Sequence, residues 1–181
     1  MIDTTNMDTE NVLKEAKKYA EKNDIKNIVV ATTTGKTGVK TSEIFPKKYN
    51  IIAVSHSTGF KKRGEQELTR ENKEKMQENQ VKVFTGPMIF HTWNDYYRKK
   101  KNTITTTTII ADTLRMFGQG TKVAVEIAAM AADAGLIPLK KCLCIAGTGY
   151  GADTILLIEP ENSRRFMNNK ILDVIAKPQK I

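Results

Sequence analysis

A chain of 181 residues, 40% hydrophobic and 27% charged, has room for one α/β domain with a proper core, or one domain plus an excursion. No stretch approaches the roughly 18 apolar residues of a membrane span, and the N-terminus MIDTTNMDTE lacks the basic and apolar regions of a signal peptide, so a cytoplasmic protein with no membrane partner is expected. The net charge of +9 would suit nucleic acid, phosphorylated metabolites or acidic lipid, but lysines are interleaved with glutamates and only residues 61–63 and 98–101 are clusters, which favours the small phosphorylated ligand.

Residues 8–23 carry Val12, Ala16, Tyr19 and Ala20 on one helical face, with Asp8 or Thr9 placed to cap the start. The stretch from Asn27 to Lys40, NIVVATTTGKTGVK, follows. Its run Ile28, Val29, Val30, Ala31 suits a strand buried on both faces. The run gives way at once to Thr32, Thr33, Thr34, Gly35, Lys36, Thr37 and Gly38, a loop of hydroxyls, glycines and one cation where a helix would begin. Unpaired N–H groups and positive partial charge at a helix start make such a loop a candidate phosphate site. The same residues also serve as ordinary caps and turns. A Walker loop is excluded, because its first glycine would fall at Val30.

A short helix over residues 39–45 should stop before Pro46. Residues 49–55 form the next strand, ending in the turn His56-Ser57-Thr58-Gly59-Phe60, and residues 65–79 read as a surface helix with Leu68 and Met76 as its contact stripe. A third strand at residues 81–84 completes a strand–helix alternation that implies right-handed crossovers, with the loops at Thr32, His56 and Thr85 on one ligand-binding edge.

The pattern breaks over residues 88–108, where Trp93, Tyr96 and Tyr97 run into the basic cluster, and this segment reads as an insertion covering the site. Helices are expected over residues 109–117 and 121–134. The second is apolar nearly all round, and its acids Glu126 and Asp133, about 10 Å apart, suit a solvent or subunit face better than acid–base work. Together with the aromatic residues it suggests a homo-oligomer. Cys142 and Cys144 lie on one face of a strand at residues 141–146, with side chains expected about 6–7 Å apart, and read as buried thiols in a reducing compartment. No metal constellation is visible, since His56 and His91 are the only histidines.

Gly147, Thr148, Gly149, Tyr150, Gly151, Ala152 and Asp153 leave that strand as a dinucleotide fingerprint would, but lead into another strand, TILLI at residues 154–158, rather than a helix. A link this short requires residues 154–158 to run antiparallel. A polar helix near residues 163–168 and a strand at residues 171–176 close the chain. The expected fold is therefore a three-layer α/β/α domain over residues 1–181, with a mostly parallel five- to six-stranded sheet and one antiparallel strand.

The order helix, IVVATTTGKTG, helix, IIAVSHS, helix, strand, alanine-rich helix, CLCIAGTGYGAD and TILLIEP resembles the C-terminal α/β domain of pyruvate kinase over residues 10–178, and more closely the free-standing, largely archaeal proteins built from that domain. The resemblance implies a regulatory or binding role rather than pyruvate kinase activity, since no catalytic barrel is present. It implies flavin mononucleotide (FMN) as cofactor, its phosphate on Thr32, Thr33, Thr34, Gly35, Lys36 and Thr37, and its ring near His56, Thr58, Gly59, Phe60 and the loop Gly147, Thr148, Gly149, Tyr150, Gly151 and Asp153. An FMN-dependent oxidoreductase of unknown substrate is the alternative, because a flavin brings its own reactivity.

Overall fold

The computed structural model describes residues 1–180. Its strands are β1 (Ile2–Asp3), β2 (Asn27–Ala31), β3 (Asn50–Ser55), β4 (Lys82–Thr85), β5 (Cys142–Ala146), β6 (Thr154–Glu159) and β7 (Lys170–Lys177). Its helices are α1 (Thr9–Lys22), α2 (Lys36–Ile44), α3 (Arg70–Glu78), α4 (Trp93–Lys101), α5 (Thr106–Arg115) and α6 (Gln119–Asp133), with a 3-10 turn at Ser163–Asn168. All seven strands form one sheet in the order β1-β7-β6-β5-β2-β3-β4. Neighbours pair in parallel except at β6, which runs antiparallel to β5 and β7, as the short link from β5 demands. The strand not foreseen is β1, two residues long and on the sheet edge, too short for any periodic pattern to reveal.

Alternation along the strands produces two cores. Ile28 and Val30 of β2 face α1, α2 and α3, where Val12, Leu13, Ala16, Phe45 and Met76 pack. Val29 points the other way, with Ile52, Cys142, Cys144 and Leu156, onto Ala124, Ile127, Ala128 and Ala131 of α6. The domain therefore has three layers.

Local chemistry explains where elements start. The Asp8 carboxylate accepts the Asn11 N–H at 2.8 Å and caps α1. α2 begins at Lys36 rather than residue 39, because Gly35 takes the left-handed conformation (φ 99°) needed to turn into the helix. α3 begins at Arg70, later than helix-forming residues suggest. Gln66 holds the preceding segment open by donating to the His56 carbonyl at 3.0 Å and accepting the Leu68 N–H at 3.0 Å, and Thr69 caps the helix. Tertiary contact overrides propensity here.

Three expectations are corrected. Glu126 faces neither solvent nor a partner: it is 1% exposed, inside the chain. α6 is covered by the sheet and its own neighbours, which removes one of the two arguments for a homo-oligomer, while Trp93, Tyr96 and Tyr97 remain exposed. The Cys142 and Cys144 sulfurs are 3.5 Å apart, not 6–7 Å, because the side chains lean together; both are free, buried thiols, and burial raises the Cys144 thiol well above its ordinary value.

Candidate functional site

Where β2 ends, the Thr32 N–H donates to the Val54 carbonyl at 2.9 Å and the Thr32 hydroxyl accepts the Gly38 N–H at 3.3 Å. These bonds fold residues 32–38 over the first turn of α2. Thr32, Thr33, Thr34, Lys36 and Thr37 line a cavity of about 470 Å³ at the carboxyl ends of β2, β3 and β5, a size in the range of small-molecule and cofactor sites. Lys36 makes no ion pair or hydrogen bond with any described residue, and Lys40 lines the cavity one turn further along α2.

Gly35 has a different task. A Cβ there would stand 2.4 Å from the Asn72 Cβ and 2.8 Å from Leu68 Cδ1, so its missing side chain serves the contact between α2 and α3 rather than close approach of a ligand. Asn72 also donates to the Thr34 carbonyl at 2.8 Å, tying the loop to α3.

The loop between β5 and β6 forms the opposite lip. Gly147, Gly149, Tyr150 and Gly151 line the cavity, with Tyr150 87% exposed at the mouth. A side chain at Gly147 would meet the Gly151 carbonyl at 2.5 Å, and one at Gly151, where φ is 78°, would meet the Thr9 hydroxyl at 2.3 Å, so the first position requires glycine for backbone packing and the second for its left-handed conformation beside α1. Asp153 works from behind: its carboxylate accepts the Thr148 N–H at 2.8 Å and the Thr154 hydroxyl at 2.6 Å. Thr148 and Asp153 thus shape the loop without lining the cavity.

The turn after β3 contributes His56 and Phe60, whose ring centres are 4.3 Å apart with the planes tilted by 47°, and His56 Nδ1 sits 2.9 Å from Glu67 Oε2. Thr58 and Gly59 do not line the cavity; Thr58 accepts from Gln66 at 3.3 Å and the Gly59 N–H donates to the Glu65 carbonyl at 2.8 Å, closing the turn.

The remaining wall was not anticipated. Gln119, Lys122, Val123, Glu126, Ile127 and Met130 line the cavity along one stripe of α6, and Met88 and His91 join them from the start of the 88–108 segment. From that segment it is residues before α4 that line the cavity, and the exposed Trp93, Tyr96 and Tyr97 do not. Lys122 is 2% exposed; its Nζ lies 2.5 Å from Glu126 Oε2 and 3.1 Å from His91 Nε2. Glu126 Oε1 accepts the Phe90 N–H at 2.8 Å, and His91 Nδ1 lies 3.2 Å from Asp95 Oδ2. Burial lowers the Lys122 pKa, opposed by Glu126; burial and the Lys122 charge lower that of His91. Burial is the largest single influence on the Asp95 carboxyl and would raise it, but His91, Lys99 and Arg98 together outweigh burial and hold the group below its ordinary value. A lysine and a glutamate four apart in an otherwise apolar helix were the available sequence signal.

Lys36, Lys40, Arg115 and Lys122 face the cavity against a single lining carboxylate, Glu126. The surplus of cations favours an anionic ligand. Among the described residues no cluster of metal-ligating side chains occurs and no helix is long and apolar enough to cross a membrane.

A parallel sheet edge, a threonine–glycine–lysine loop at a helix start and a glycine lip define an α/β domain with a ligand cavity at its carboxyl edge. Residues 10–158 match the family described as pyruvate kinase, alpha/beta domain, and the chain belongs to that family. A solved pyruvate kinase from Cryptosporidium parvum is similar over 82% of this chain, at 17% identity and a TM-score of 0.42; the chain spans 22% of that protein's length.

Proposed function

We propose that this domain binds a phosphorylated ligand, FMN, and acts as a binding or regulatory module. The observation that carries the reading is the pairing of the loop at residues 32–37, with Lys36 free of any described partner, and a cation-rich cavity of about 470 Å³. A phosphate there would meet the first N–H groups of α2, the Thr33, Thr34 and Thr37 hydroxyls and the Lys36 ammonium. The residues present suit the rest of the group. Val54, Met88, Val123, Ile127 and Met130 supply apolar wall, and Phe60 and Tyr150 supply aromatic faces at the rim for a planar ring.

A second reading, an FMN-dependent oxidoreductase, is favoured by one observation: the Asp95–His91–Lys122–Glu126 network, half-buried at Asp95 and His91 and buried at Lys122 and Glu126, reaches the same cavity. Bound FMN would supply the electron-transfer chemistry. The chain's own part would be to hold the phosphate at α2, exclude water with the apolar wall and present polar hydrogens from α6.

Binding of FMN and riboflavin to wild type and Lys36→Ala, followed by flavin fluorescence, tests the phosphate assignment. Loss of one charge-assisted contact should weaken FMN about ten- to hundredfold, while riboflavin, which lacks the phosphate, changes little. Equal losses for both would mean that the lysine acts elsewhere, and failure of wild type to bind FMN would overturn the ligand assignment.

A further inference from the structure

The threonine loop and this network reach the cavity from opposite faces of the sheet, since α2 packs in one core and α6 in the other. In the network, Glu126, His91 and Asp95 all have their hydrogen-bonding taken up by protein partners, Asp95 also accepting from Arg98 at 3.2 Å on its exposed side. Glu126 takes the Phe90 N–H and the Lys122 ammonium. Asp95 on Nδ1 favours the tautomer of His91 whose Nε2 accepts from Lys122. Lys122 is the exception. An ammonium has three N–H groups, and among the described residues it has two hydrogen-bond acceptors, Glu126 and His91, with the Phe90 ring centre 5.2 Å away, within cation–π range but beyond hydrogen-bonding distance. Lys122 lines the cavity although it is 2% exposed. Helix stability does not account for the pair, because lysine preceding glutamate is the weaker order at this spacing and burial costs both charges their hydration.

We propose that Lys122 is a second ligand anchor, donating its remaining N–H to a carbonyl oxygen at the end of the ligand away from the phosphate. The site then selects a phosphate ester bearing a conjugated carbonyl, and favours states in which negative charge gathers on that oxygen. The inference rests on the FMN reading, in which the oxygen belongs to the flavin ring and the ammonium stabilises a negatively charged ring.

Sulfite is the probe. Its sulfur donates an electron pair to a flavin ring nitrogen, a new N–S bond forms as the ring C=N double bond opens, and the displaced pair rests as negative charge on the ring and its carbonyl. The adduct bleaches the visible band, so its affinity is read directly. FMN on wild type should bind sulfite about tenfold or more tightly than free FMN, the effect of one charge-assisted hydrogen bond. Lys122→Met with Glu126→Gln removes one charge of each sign, leaves the cavity's net charge unchanged and should erase that gain, while FMN affinity falls by less.

Wild-type protein that binds FMN but takes up sulfite no better than free FMN overturns the anchor and leaves the phosphate site standing. Equal sulfite affinity in wild type and double variant does the same. Wild type that binds no FMN overturns both readings. Should the double variant not fold, the comparison of wild type with free FMN decides.

Discussion

Lys122→Met alone removes the ammonium 2.5 Å from Glu126 Oε2 and strands a carboxylate that is 1% exposed. Breaking a buried pair by deleting one partner costs about 3–5 kcal/mol, because the other charge stays buried without compensation. The lower end is expected here, since Glu126 Oε1 keeps the Phe90 N–H at 2.8 Å. At ~2–4 °C per kcal/mol for a chain of this size, a loss of ~3 kcal/mol lowers Tm by about 6–12 °C. Adding Glu126→Gln removes the stranded charge and should recover most of that, because a neutral buried replacement is well tolerated. Thermal and urea unfolding of the wild type, both single variants and the double variant form a cycle that isolates the pair. A loss below about 1 kcal/mol for Lys122→Met, or a double variant no more stable than that single variant, would refute the reasoning.

Gly35→Ala must place a Cβ against Asn72 at a left-handed φ of 99°, and Gly120→Ala must place one 2.1 Å from Thr154 Oγ1, between α6 and β6. Each should cost about 1–3 kcal/mol in urea unfolding, and an unchanged midpoint would show that α2 or α6 is free to shift. His91 titrates below the ordinary histidine value, so the unfolded chain binds more protons than the folded one between the two pKa values. Its contribution is complete above about pH 6.5 and is lost as pH falls toward the folded value. His91→Gln should flatten this acid-side decline, and an unaltered slope would show that His91 is not its source.

Much of the scaffold was legible in the chain because local chemistry repeats within each element. Unbroken apolar runs marked β2, β3 and β5, the glycine-rich link too short for a crossover made β6 antiparallel, and the TTTGKT junction placed a helix start against a strand end. Other features depended on partners distant in sequence. The late start of α3 comes from Gln66 reaching the His56 carbonyl, and the role of Gly35 from Asn72 lying against it. α6 read as plain core because its alanines dominate its composition, yet the stripe Gln119, Lys122, Glu126 and Met130 faces the cavity. His91 meets Lys122 across a gap of 31 residues. Their juxtaposition is set by packing α6 against β5, β6 and β2, where burial strengthens a pair that would be weak at a surface.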